Sequence, residues 1–367
     1  MATCARTRSR DRRRAIRLVW GVGWALASAG VTIAAASSQT GAPQWKVPRT
    51  PHGHPDLQGN WTNASMTPVQ RPPGLGAVLT PEQVKALESG RQDFIEKAAK
   101  ASDPNRNAPP DGGILTGDPV FDGATGGTGG YNYFYVDAGD EIAIFNGEPR
   151  SSLVVDPPNG RIPPLTPAAS QARQAAAQRA GRGQYDNPED RPLGERCIMS
   201  FGSNAGPPML PNYFYNNNYT IVQTADHVAI MTEMVHDVRI IRLGERKPLR
   251  DHVRPWMGDS WGRWEGDTLV IETTNLPAKQ LGGGLSFPGG SEQMKVIERL
   301  TRTDDDTIQY EFTVEDPTFY TRPWSGQVPF EKMNELLYEY ACHEANYSLF
   351  NVLSGARAQE KRGGGRR

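Results

Sequence analysis

Gly258-Asp259-Ser260-Trp261-Gly262-Arg263-Trp264-Glu265-Gly266-Asp267-Thr268-Leu269-Val270-Ile271-Glu272-Thr273-Thr274 is the stretch that decides the fold. Two runs rich in Trp, Val, Ile and Thr, at 261–264 and 268–274, flank the turn Glu265-Gly266-Asp267. That pattern predicts a tight antiparallel hairpin. The same grammar continues outward. Strands are expected at 219–224, 227–234 and 237–243 before it, and at 294–303, 307–315 and 336–342 after it, with turns at Ala225-Asp226 and Asp304-Asp305-Asp306. Sequential hairpins leave the fewest exposed edges when they close on themselves. The expected fold class is therefore mainly β: an antiparallel meander closing into a barrel or a strongly curved sheet, with two helical insertions. A mixed-sheet sandwich is the alternative. The 39 glycines and 30 prolines suit short strands and many turns.

Upstream, residues 39–130 read as an extended arm with one helix. Thr80-Pro81-Glu82-Gln83 carries the signature of a capping box and predicts a helix to about residue 100. Gly126-Gly127-Thr128-Gly129-Gly130 lacks the Lys-Ser/Thr of a phosphate loop and reads as plain loop. Short strands are expected at 131–136, 142–145 and 152–156, with a helical insertion at 166–180 ended by Gly181. The barrel domain is expected over 131–355, and 356–367 reads as a disordered basic tail.

Residues 1–38 have the layout of a secretory signal. Seven arginines precede an apolar run from Leu18 to Ala36, which closes on Ala34-Ala35-Ala36. Arg12-Arg13-Arg14 leaves Sec and twin-arginine export both open. Setting those residues aside removes seven arginines and Asp11 from 40 basic and 41 acidic side chains, leaving 33 and 40, a net charge of −7. An acidic surface repels phosphate backbones, so no nucleic acid partner is expected. The expected setting is periplasmic or secreted, with no membrane contact after cleavage. Of three cysteines, Cys4 leaves with the signal, and Cys197 and Cys342 are expected to form a disulfide.

Several segments, among them Asp56-Leu57-Gln58-Gly59-Asn60-Trp61, Ser152-Leu153-Val154-Val155-Asp156-Pro157-Pro158-Asn159-Gly160, Glu233-Met234-Val235-His236-Asp237 and Tyr338-Glu339-Tyr340-Ala341-Cys342-His343, resemble a family of secreted bacterial β-rich proteins. The resemblance implies export and a single β-rich unit, and assigns no catalytic residue. Gly59-Asn60-Trp61 also resembles the tripeptide that opens the first strand of lipocalin-like barrels.

Two histidines stand beside carboxylates. His236 has Glu233 and Asp237 for neighbours, with Arg239 two residues further on; His343 lies between Cys342 and Glu344. A carboxylate next to an imidazole fixes its tautomer and raises its basicity, as acid–base catalysis requires. Asp259, Trp261, Arg263 and Trp264 read as a substrate-binding strand, because aromatic faces stack on sugar rings while charges take the hydroxyls. Two imidazoles with a glutamate would be enough for an open zinc site, but no His-x-x-x-His or Cys-x-x-Cys spacing demands one. No cofactor is expected, with a divalent metal left open. The sequence thus supports an exported hydrolase or lyase acting on a small polar or glycosidic compound, with a non-catalytic small-molecule-binding barrel as the alternative.

Overall fold

The computed structural model describes residues 45–98, 105, 137–179, 183–200, 204–211, 215–279 and 289–363. The expected export signal and the expected strand at 131–136 lie outside these residues. The strands, in chain order, are β1 (Gly59–Thr62), β2 (Ile144–Phe145), β3 (Glu148–Pro149), β4 (Val154–Asp156), β5 (Asn218–Gln223), β6 (His227–Thr232), β7 (Val238–Leu243), β8 (Asp259–Glu265), β9 (Thr268–Thr274), β10 (Lys295–Arg302), β11 (Thr307–Glu315) and β12 (Trp324–Met333). The helices are α1 (Pro81–Ala98), α2 (Pro167–Arg179) and α3 (Tyr347–Gly363).

The sheet order is β1-β5-β6-β7-β8-β9-β10-β11-β12, and β12 pairs back with β1 through Asn60↔Met333 and Thr62↔Glu331. This closes a nine-stranded barrel, with β4 added outside the ring beside β12. Every neighbour in the ring is antiparallel except β7 and β8, which run parallel. A closed ring of alternating directions needs an even number of strands, so nine strands force one parallel step. The connection from Gly244 to Gly258 supplies it by returning the chain to the mouth where β7 began.

Period-two alternation sets the wall. Val296, Glu298, Leu300 and Arg302 of β10, and Ile308, Tyr310, Phe312 and Val314 of β11, face inward, while the intervening residues face out. The core is one contiguous cluster around Trp61, Tyr219, Tyr310, Phe312, Trp324 and Phe330. Met209 and Leu210 join it from the 204–211 segment, whose residues are all buried. The opposite mouth is closed by the 45–58 arm. Arg302 donates to the carbonyl of Asp56, and His54 stacks on Trp264 with ring centroids 5.0 Å apart.

Several expectations change. The arm assigned to 39–130 supplies β1, an integral strand of the ring. The strand expected at 336–342 is absent, and the chain there has no regular structure. The closing strand is instead β12, which contains Gly326 and Pro329, residues that normally demote a strand. Pro329 is accommodated because Gln327 N donates to Leu153 O on the β4 side. By alternation the nitrogen of Pro329 points the same way, into the gap between β4, paired at 325–326, and β1, paired at 331–333, where no ladder bond is lost. The tail expected to be disordered from 356 is helical to Gly363, because Leu349, Val352, Leu353 and Ala356 recur at helical spacing on its half-buried side. The capping box at Thr80 forms as read: Gln83 N donates to Thr80 Oγ1 (3.3 Å), and Thr80 N donates to Gln83 Oε1 (2.9 Å).

Candidate functional site

The inward faces of β6, β7, β10 and β11 should be apolar, yet near the mouth under residues 204–211 they are not. Arg239 and Glu298 are 2% and 0% exposed and form a forked ion pair, with both N···O distances 3.0 Å. Tyr310 donates its hydroxyl to Glu298 Oε1 (2.9 Å) and accepts from Met209 N (2.9 Å). Tyr219 donates to Asn204 O (2.8 Å) and accepts from Asn63 Nδ2 (3.1 Å), which also reaches Met209 O. Burial pushes both phenols well above the ordinary tyrosine range, so they act as neutral donors. Each member is held by a barrel strand or by the chain that enters the mouth, which makes the layer rigid.

Besides Arg239 Nη1 and Glu298 Oε2, which meet only across the ion pair, three polar atoms in this layer make no hydrogen bond: Asn63 Oδ1, Thr232 Oγ1 and Arg239 Nε. Asn63 and Thr232 are fully buried. Thr232 pairs across the sheet with Tyr219, and Arg239 faces inward two residues from it across the β6–β7 ladder. A buried polar atom left unsatisfied costs about 1–3 kcal/mol, so three within one layer call for a partner. Together they present an acceptor, a hydroxyl and a charged donor.

The residues singled out from the sequence lie on several elements. Arg239 enters this layer. Glu233 follows β6 and accepts from Asn218 Nδ2 (2.6 Å). Asp237 Oδ1 accepts from Val238 N (2.9 Å) at the start of β7. His236 lies between them in a short 3-10 turn, Met234–His236, in which buried Val235 adopts φ +64°, a left-handed conformation costly for a β-branched residue. His343 and Glu344 are exposed in the loop before α3. They are tethered through the Cys342–Cys197 disulfide, whose Cα atoms are 5.6 Å apart. The two histidines thus belong to separate elements.

Asp259, Trp261, Arg263 and Trp264 do not form one surface. Trp261 and Trp264 are an odd number of residues apart, so they occupy opposite faces of β8. Trp264 packs inward on the core, whereas Trp261 lies outside beneath the Arg242 guanidinium, 4.4 Å from its ring. Asp259 is buried by an ion pair to Arg242 and a hydrogen bond from Leu249 N (2.9 Å). Arg263 belongs to an exposed ladder with Glu265 and Glu272. Among the described residues, no group of three or more His, Cys, Asp or Glu side chains is gathered to hold a metal.

Glu298, Tyr219, Tyr310, Thr232 and Asn63 were not singled out from the sequence. Glu298 had a signal: it falls on the apolar phase of Val296-x-Glu298-x-Leu300, where a carboxylate needs a buried partner. Its partner, Arg239, is 59 residues away in sequence, and only the closed ring brings the two together.

Neither protein-family models nor curated protein sequences give a match to this chain.

Proposed function

We propose that the protein is an exported barrel that binds a small, neutral, polar compound without transforming it. The observation that carries this reading is the set of unpartnered atoms, Asn63 Oδ1, Thr232 Oγ1 and Arg239 Nε, inside a closed wall. Arg239 is already neutralised by Glu298, so an added anion would meet a carboxylate as well as a guanidinium. A hydroxyl or amide group, able to donate and accept at once, matches the three atoms better. Export is supported by the Cys197–Cys342 disulfide, a bond typical of oxidising compartments. No helix among the described residues is long and apolar enough to cross a membrane.

Thermal-shift screening with sugars, polyols and phenolics, followed by product analysis, tests the reading. A bound compound should raise the unfolding midpoint and be recovered unchanged. Thr232→Val, which removes the hydroxyl while keeping its shape, should weaken binding about tenfold, the cost of one lost hydrogen bond to a buried group. Turnover abolished by His236→Ala and His343→Ala would replace this reading with the acid–base one. N-terminal sequencing of exported protein tests the signal: a mature chain that still begins at Met1 would remove it.

A further inference from the structure

Past β12 the chain changes character. No residue from 334 to 363 is buried, and four large side chains there stand out in water: Leu336 (77% exposed), Tyr338 (75%), Tyr347 (71%) and Phe350 (72%). Elsewhere among the described residues no large apolar side chain exceeds 50% exposure. Tyr347 and Phe350 are three residues apart and share one face of the first turns of α3. Leu336 and Tyr338 lie in the segment just before it. This arm is nonetheless held in place. Cys342 bonds Cys197, Asn346 Nδ2 donates to Glu195 O (3.1 Å), and Arg357 donates to Tyr185 O (3.0 Å). Exposed aromatic side chains held in this way are presented to a partner.

Charge selects the partner. Between residues 357 and 367 five basic residues stand against one acid, Glu360, in a chain whose acidic residues otherwise predominate. Lys361 and Arg362 are exposed in the last turn of α3. Aromatic and apolar side chains at one end of a helix and basic ones at the other suit the boundary between headgroups and acyl chains. The acidic body would be repelled by an anionic surface, so only this arm can face one.

We propose that residues 334–363 are a docking arm for an anionic lipid surface. Leu336, Tyr338, Tyr347 and Phe350 enter the headgroup layer, and Lys361 and Arg362 pair with acidic headgroups. Binding is peripheral and reversible, because four partly inserted side chains fall far short of a spanning helix.

Co-sedimentation of the oxidised chain from residue 39 onward with vesicles of equimolar phosphatidylcholine and phosphatidylglycerol, and with vesicles of phosphatidylcholine alone, tests this. Binding should be at least tenfold tighter to the anionic vesicles and should weaken as salt is raised. Neutralising Lys361 or Arg362 with glutamine should weaken it about fivefold per charge. The double variant Tyr347→Ser, Phe350→Ser should lose it at least tenfold. Neither site touches the core, so an unchanged unfolding midpoint confirms that the variant is folded. Equal binding to both vesicle types, or undiminished binding by the double variant, overturns the proposal. So does concentration-dependent dimerisation that the double variant abolishes, which would assign the surface to a second copy of the chain.

Discussion

Arg239 and Glu298 show what one buried pair demands of its surroundings. With both present the charges cancel, and Tyr310 adds a second hydrogen bond to Glu298 Oε1. Glu298→Gln keeps an acceptor for Tyr310 but leaves the guanidinium uncompensated, and should cost about 3–5 kcal/mol in urea unfolding. The double variant Arg239→Met, Glu298→Leu should recover most of that loss, because a packed apolar pair avoids the desolvation penalty altogether. If the double variant is as unstable as Glu298→Gln, the loss does not come from the uncompensated charge. Tyr219, Tyr310 and Tyr320 give a second residue-scale outcome. Burial raises all three phenols above the ordinary value of about 10. In the unfolded chain they ionise near that value, while in the folded one they stay neutral. Their contribution to stability is therefore complete below about pH 10 and is lost as pH rises above it. Alkaline titration followed by tyrosinate absorbance should show a class of the 12 tyrosines that ionises only with unfolding. A single reversible phase for all of them would contradict the buried layer.

At the scale of elements, local pattern told where strands would lie wherever turn chemistry was explicit. The hairpin at 258–274, the β10–β11 pair and both helix starts were legible because a Gly, an Asp run or a Thr-Pro marked each boundary. β12 was not, because Gly326 and Pro329 read as interruptions. Both have tertiary reasons. Pro329 sits where no partner needs its amide, and Gly326 lies directly across from Phe312. A Cβ at Gly326 would fall well inside contact distance of the Phe312 ring and only 3.0 Å from Leu153 O. Gly326→Ala should therefore destabilise by about 1–3 kcal/mol in chemical denaturation, the usual cost of overpacking. Ala at this position with no loss would mean that the ring is free to move aside. The polar layer was the least legible feature. Its members come from β5, β6, β7, β10, β11 and the residue after β1, and no spacing along the chain encodes their meeting.

For the whole molecule, the ring is closed by strands from opposite ends of the described chain, β1 and β12, so neither end of the 59–333 span can be shed. Residues 334–363 differ, since none of them is buried. A chain ending after Glu335, with Cys197→Ser to remove the unpaired thiol, should still fold cooperatively. It should be less stable by about 2–5 kcal/mol, mainly through the lost 145-residue cross-link. In the intact protein, reduction should expose the 336–346 segment to protease before the barrel unfolds. Simultaneous digestion of arm and barrel would show that the disulfide supports both.

The pairing of Asn60 with Met333 has a mechanical consequence. Antiparallel β1 and β12 bring residues 59 and 333 to the same mouth, so a pull that separates the two ends acts across the seam rather than along it. The seam would open like a zipper, one residue pair at a time, beginning at the mouth. The barrel would then yield at low force when held by both ends, although its closed wall resists heat and denaturant as one unit.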